Sequence, residues 1–181
     1  MQNPTTRTRM TAEEFIALPE RDLPTELIDG ELVMRGSPTT KHQRMSRKIV
    51  AVLMRWTTSG EIFYAPYSVM LDNANFYQPD VLWVSEENLS IIADDGINGA
   101  PDLVVEVLSP GTAKADYGVK FQTYERYGVR EYWIADPDEG FILVWQRNAN
   151  GRFVQHGAFG AGETLSSPLL GQSVNMSEVL P

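Results

Sequence analysis

Asp102-Leu103-Val104-Val105-Glu106-Val107-Leu108 reads as an apolar strand with a carboxylate in its middle. Side chains alternate along a strand, so Glu106 shares a face with Val104 and Leu108. An ionised carboxylate on an apolar face costs several kcal/mol unless a positive group meets it. A metal ion or a lysine is such a group.

On the C-terminal side, Pro110-Gly111 stops the strand and 112–127 reads as a helix with inner stripe Tyr117, Phe121 and Tyr124, capped by Gly128. Lys120 flanks that stripe and can reach back towards Glu106. Strands follow at 129–135, 141–146 and 153–158, the first two joined by a turn over 136–140. On the N-terminal side, 85–101 reads as a surface excursion. Residues 61–71 and 76–84 read as strands around a turn at Asp72-Asn-Ala-Asn75.

Further upstream, Ser37-Pro38-Thr39 opens a helix of about 18 residues whose apolar stripe is Met45, Ile49, Val52, Leu53 and Trp56. His42 lies at the N-terminal end of that stripe. Glu26 to Met34 reads as a hairpin around Asp29-Gly30, with Glu26 and Glu31 on one face. Thr11-Ala-Glu-Glu14 is a capping box for a short helix. One helix crosses between the strands at 102–109 and 129–135, so the fold class is α/β or α+β: a mixed β-sheet flanked by helices, with an N-terminal helix and hairpin. A flexible N-terminus over 1–10 and one domain over 11–181 are expected.

The 181 residues contain no cysteine, which excludes disulfides and thiolate metal sites. No apolar run approaches the ~20 residues of a membrane span, and the polar N-terminus does not resemble a secretory signal. A cytoplasmic protein is expected. The formal charge is -9, which argues against a general nucleic-acid binder. The charge is uneven: residues 1–60 hold nine Lys/Arg and seven Asp/Glu, whereas 61–181 hold six and seventeen. Lys41, Arg44, Arg47, Lys48 and Arg55 form a basic run with no acid between them. That run is either a solvated helix face or a phosphate-contacting surface.

Gln78-Pro79-Asp80 opens the apolar Val81-Leu-Trp-Val84. If that strand neighbours the one at 102–108, Asp80 and Glu106 converge to under ~6 Å. Two carboxylate oxygens, waters and a phosphate are a set that Mg²⁺ accepts, and such an ion assists phosphodiester hydrolysis. The bland alternatives are a Glu106–Lys120 ion pair without metal and a capping role for Asp80. Asp102 is a poor ligand partner for Glu106, since four residues of strand separate them by ~13 Å. His42 and Glu31 join the site list, with Glu26 as the alternative to Glu31 on the same face.

These segments resemble the restriction-endonuclease-like Uma (Uma-two) family of bacteria. The matching stretches are Glu26-Leu-Ile-Asp-Gly-Glu31, Ser37-Pro-Thr-Thr-Lys-His-Gln43, Gln78-Pro-Asp-Val81 and Ala100-Pro-Asp-Leu-Val-Val-Glu-Val-Leu-Ser-Pro110. The last continues into Asp116-Tyr-Gly-Val-Lys120, Tyr124 and Gly128-Val-Arg-Glu-Tyr-Trp-Ile-Ala-Asp-Pro137. The likeness spans roughly residues 10–175 and is carried by the order and spacing of these motifs together. It implies similarity to the PD-(D/E)xK nucleases and a Mg²⁺- or Mn²⁺-dependent endonuclease. Asp80 and Glu106 would be the metal ligands, with Lys120, His42 and Glu31 as further catalytic residues. Leu108 stands where the wider pattern has its lysine, and Lys120 takes that role from the next helix. Gly111 stands where serine is frequent. Nucleic acid is the expected partner, DNA ahead of RNA.

A homodimer is expected from the same analogy and from Phe141, Trp145, Phe153 and Phe159 in the late strands. The alternative is a catalytically inert nuclease fold used for binding or dimerisation. A Ser/His hydrolase is unsupported: two histidines and no Gly-x-Ser-x-Gly elbow are present.

Overall fold

Glu106 sits in an interior strand of one of two six-stranded mixed sheets. The structure is a computed structural model and describes residues 9–19, 24–109 and 111–181. Most of the expected flexible N-terminus, and Pro110, lie outside the described residues.

In chain order the elements are α1 (Ala12–Ile16), β1 (Thr25–Ile28), β2 (Glu31–Met34), α2 (Thr40–Trp56), β3 (Glu61–Tyr64), β4 (Val69–Asp72), β5 (Asn75–Tyr77) and β6 (Val81–Val84). A 3-10 turn (Glu86–Ile91), β7 (Ile92–Ala93), β8 (Gly96–Asn98), β9 (Leu103–Val107), α3 (Ala113–Tyr117) and α4 (Val119–Tyr127) follow. The chain ends with β10 (Glu131–Asp136), β11 (Phe141–Arg147), β12 (Phe153–Phe159), β13 (Thr164–Ser167) and β14 (Gln172–Asn175). One sheet has the order β12-β11-β10-β9-β6-β3, the other β2-β1-β5-β4-β8-β7. The mixed α+β architecture is therefore as expected, but with the strands divided between two six-stranded sheets and a separate two-stranded one, β13-β14.

The division explains where the sequence reading joined too much. The expected strand 61–71 is broken at Ala65-Pro66, and β3 and β4 fall in different sheets. The expected strand 76–84 breaks at Gln78-Pro79-Asp80, sending β5 and β6 to different sheets. Proline cannot donate to a ladder, so each break falls where pairing is handed from one sheet to the other.

The expected helix 112–127 is two helices, α3 and α4, parted at Gly118. A Cβ at Gly118 would lie 2.7 Å from the Lys114 carbonyl oxygen, so only glycine fits this bend. The bend rotates the inward face: Tyr117 is 44% exposed, while Asp116, Lys120, Thr123 and Tyr124 are buried. Of the expected stripe, Tyr124 is buried and Phe121 packs against Tyr132, Trp145 and Phe153, whereas Tyr117 is replaced on the inward face by the charged Asp116 and Lys120.

The α3–α4 crossing connects β9 to its parallel neighbour β10, as parallel pairing requires. Met45, Ile49, Val52 and Leu53 of α2 pack on one face of this sheet against Val81, Trp83, Leu103 and Val105. Leu82, Val104, Tyr132 and Ile134 face the other way, towards α4 and the second sheet. Glu106 points with them.

The hairpin β1–β2 has the expected register, Ile28 opposite Glu31 and Glu26 opposite Val33. Its turn uses positive φ at Asp29 (49°) and Gly30 (77°), which matches the right-handed twist of the strands. The hairpin β13–β14 had no signal in the sequence reading. Glu131 anchors it by accepting from Trp133 Nε1 (2.7 Å), Ser167 Oγ (2.7 Å) and Leu169 N (2.8 Å).

The aromatic argument for a homodimer finds no support in the packing. Phe153 is buried, Trp145 and Phe159 pack against core clusters, and Phe141 is half-buried. Among the described residues, no helix is long and apolar enough to cross a membrane.

Candidate active site

β6 and β9 are antiparallel neighbours with Val81 opposite Val105. That register sets Asp80, at the entry to β6, against the end of β9. Its Oδ2 accepts from the Val107 amide at 2.7 Å, and His42 Nε2 lies 3.3 Å from the same oxygen. His42 is carried by the first turn of α2, where Thr39 caps the helix by accepting from the His42 amide. The His42 Nδ1 atom is buried with no hydrogen-bond partner. Asp80 and His42 together line a groove between α2 and the 64–66 segment.

Behind Asp80 is a buried charge cluster. Lys120 Nζ donates to Glu106 Oε1 and to Glu26 Oε1, each at 2.8 Å, and lies 3.7 Å from Asp116 Oδ1. Tyr124 donates its hydroxyl to Glu106 Oε1 at 2.8 Å. Arg35 Nη1 faces three oxygens: Gln78 O at 3.1 Å, Glu106 Oε2 at 3.3 Å and Glu26 Oε1 at 3.4 Å. Glu26 also accepts from the Gln78 amide at 2.8 Å, so the cluster grips the Pro79 crossing from both sides.

Four carboxylates (Glu26, Asp80, Glu106, Asp116) thus surround two fixed cations, Arg35 and Lys120. The imbalance shows in the proton affinities. Burial pushes the Glu106 carboxyl up to about 7, although Lys120 and Arg35 pull the other way. Burial likewise raises Asp116, although Lys120 and Arg35 pull the other way. Lys120 is raised because the carboxylates crowding one ammonium outweigh its own burial. Asp80 differs: burial would raise it, but His42, the Arg35 charge and the Val107 amide together hold it below the usual carboxylate range.

These directions set a pH dependence. Glu106 binds its proton more tightly folded than unfolded, so its contribution to stability is complete below the ordinary carboxylate pKa and is lost as pH rises through about 7. Glu106→Gln is therefore expected to flatten the profile: between pH 5 and pH 8 the wild-type Tm falls more than that of the variant. Parallel Tm profiles for the two proteins would sink this assignment.

The site residues expected from sequence divide as follows. Lys120 and Glu106 meet directly; Asp80 and His42 meet each other at the groove. Glu31 is exposed near the turn of β2, and the glutamate of this hairpin that joins the cluster is the alternative on the same face, Glu26, which accepts from Lys120. Asp102 holds the 3-10 turn through the Ser85 amide (2.8 Å) and pairs with Arg130 (3.2 Å), a structural duty. Arg35 was missed. Its signal was present: continuing the alternation Glu31, Val33 by two residues puts Arg35 on the face of Glu26.

The donor set suits a hard divalent cation in chemistry and charge, since Asp80 and Glu106 offer oxygens and the cluster has two carboxylates in excess. Arg35 already faces Glu106 Oε2, so an ion reaching Glu106 must displace that guanidinium. Among the described residues, no three His, Cys, Asp or Glu side chains gather as a metal site.

A search among curated proteins finds no match. A crystal structure entitled as a "putative nuclease" from Anabaena variabilis ATCC 29413 superimposes with a TM-score of 0.77 at 19% identity, covering 94% of this chain and 97% of that one. That likeness shows the fold. Residues 12–177 match the family model Uma2, described as "Putative restriction endonuclease". With nearly its whole length covered by that model, the chain belongs to the Uma2 family.

Proposed function

We propose that this protein is a metal-dependent endonuclease hydrolysing phosphodiester bonds, with Mg²⁺ or Mn²⁺ as the ion and DNA ahead of RNA as substrate. A cytoplasmic homodimer is part of the same proposal and rests on the family resemblance. The observation that carries the reading is Asp80: an ionised carboxylate, buried yet lining a groove, backed by a cluster with excess negative charge. A nuclease fold alone would not supply the chemistry.

Asp80 and Glu106 would hold the ion, which supplies Lewis-acid polarisation of the phosphoryl group when bound. His42 Nε2 orients Asp80, and its Nδ1 is buried without a partner among the described residues. Lys120 fixes the Glu106 and Glu26 carboxyl groups in a water-poor environment, donating to each at 2.8 Å. Tyr124 fixes the rotamer of Glu106 by its hydroxyl. Arg35 balances the cluster from the groove side.

The test is cleavage of a panel of single-stranded, duplex and branched DNA and RNA with Mn²⁺ and Mg²⁺. Metal-dependent cutting is expected; an uncut panel at every protein concentration overturns the reading.

The inert-module alternative has one observation in its favour. Glu106 is fully buried, with Oε1 held by Lys120 and Tyr124 and Oε2 facing Arg35. Calorimetric titration with Mn²⁺ separates the two. Binding lost in Glu106→Gln supports the enzyme; absence of binding supports the module.

A further inference from the structure

The basic run on α2 is sorted by its partners. Lys41 pairs with Asp138, Arg55 pairs with Glu178, and Lys48 donates to the Leu180 carbonyl. Arg44 and Arg47 are exposed, and among the described residues no carboxylate pairs with either. Both line one groove of about 580 Å³, and His42 and Asp80 line the same groove. In a chain of charge -9, two unpaired arginines leading to a buried carboxylate are not a generic solvated face.

The opposite wall carries Tyr64, at the end of the edge strand β3, with its side chain 62% exposed. Its backbone is opposite Val81, and the next residue, Ala65, donates its amide to the Asp80 carbonyl. The ring therefore stands within a residue or two of Asp80 along the ladder. Met54, 66% exposed, extends the apolar floor. Arg44 and Arg47 are three apart on one helix, so their Cβ atoms are about 5–6 Å apart and can meet neighbouring phosphates of one strand.

We infer that this groove binds a single strand of nucleic acid, with Arg44 and Arg47 on successive phosphates and a base stacked on Tyr64, feeding the backbone to Asp80 and His42. The inference deepens the nuclease reading and rests on it for the last step. Positive groove plus stacking platform is the general design for single strands. Two arginines neutralise about two phosphates, well short of the roughly 6–10 contacts of a strongly salt-dependent duplex binder. Here the neighbouring cations Lys41 and Arg55 are neutralised by Asp138 and Glu178, and the overall charge repels a wide polyanion.

The test is fluorescence anisotropy in EDTA with labelled 20-mers: single-stranded DNA, RNA of the same sequence and duplex DNA. Binding of a single strand at least tenfold tighter than duplex is expected, and the DNA and RNA arms show which sugar is preferred. The salt dependence should correspond to about two phosphates, a log–log slope of about -1.4. The Arg44→Ala/Arg47→Ala variant should bring that slope near zero. Tyr64→Ala should weaken binding about 5- to 140-fold, and Tyr64→Phe should restore it.

Duplex binding as tight as single-strand binding overturns the inference. So does an unchanged slope in the double variant, or equal displacement by poly-glutamate, which would mark a site for acidic peptides. Cleavage is scored separately. Single-strand binding without cleavage under any metal keeps the groove and removes the nuclease; duplex cleavage without single-strand binding does the reverse.

Discussion

Lys120→Met is expected to cost the fold about 3–5 kcal/mol at pH 8. Methionine keeps most of the stem volume, so the change isolates the charge. In the native protein the ammonium serves Glu26, Glu106 and Asp116 at 2.8, 2.8 and 3.7 Å, all in the interior. Without it three buried carboxylates depend on Arg35 alone. At pH 5 the penalty should shrink, because Glu106 and Asp116 are already biased by burial to take up protons. Adding Glu106→Gln should recover part of the loss, since the two side chains are in contact and their effects couple. Urea unfolding followed by tryptophan fluorescence at both pH values reads this directly. A cost below about 1 kcal/mol at pH 8 would show that the cluster is not held by the lysine.

Asp80→Asn should remove more than about 99% of metal-dependent cleavage and lower Tm modestly near neutral pH, because the fold holds that carboxyl below its ordinary range and asparagine gives up the charge that does so. Even an outer partner of a metal ligand costs roughly 10–100-fold when altered, so a direct ligand should cost more. The asparagine oxygen can still accept from the Val107 amide, which preserves the one contact Asp80 makes with β9. What is lost is the negative charge at the groove. Manganese titration should show weakened binding in the same variant. Cutting equal to wild type would trace the activity to a contaminant.

Much of this geometry was legible because it rests on short-range patterns. Alternation fixed the hairpin register and put Glu106 inward; i, i+3 spacing placed His42 above Met45; Thr11 and Thr39 marked helix starts. Three things escaped. The splitting of two strands between sheets depends on long-range pairing, which local periodicity does not encode, although Pro66 and Pro79 marked both break points. The bend at Gly118 turned Tyr117 outward and Asp116 inward, which a continuous helical wheel cannot show. Arg35 lies one residue beyond β2, and its partners come from β1, the 78 carbonyl and β9. Glu31 was preferred to Glu26 for the opposite reason: both share a face, and only the packing of β1 against β5 decides which is covered.

The crossing at Gln78-Pro79-Asp80 has a kinetic consequence. Glu26, Asp80, Glu106 and Lys120 come from four places along the chain, and Asp80 occupies the junction where one layer hands over to the other. No half of the polypeptide can bring them together, so the constellation forms only after distant segments have docked, a slow class of event. A nascent or partly denatured molecule would carry the acids and the lysine yet be unable to cut, and whatever chemistry the protein performs is withheld until both layers are complete.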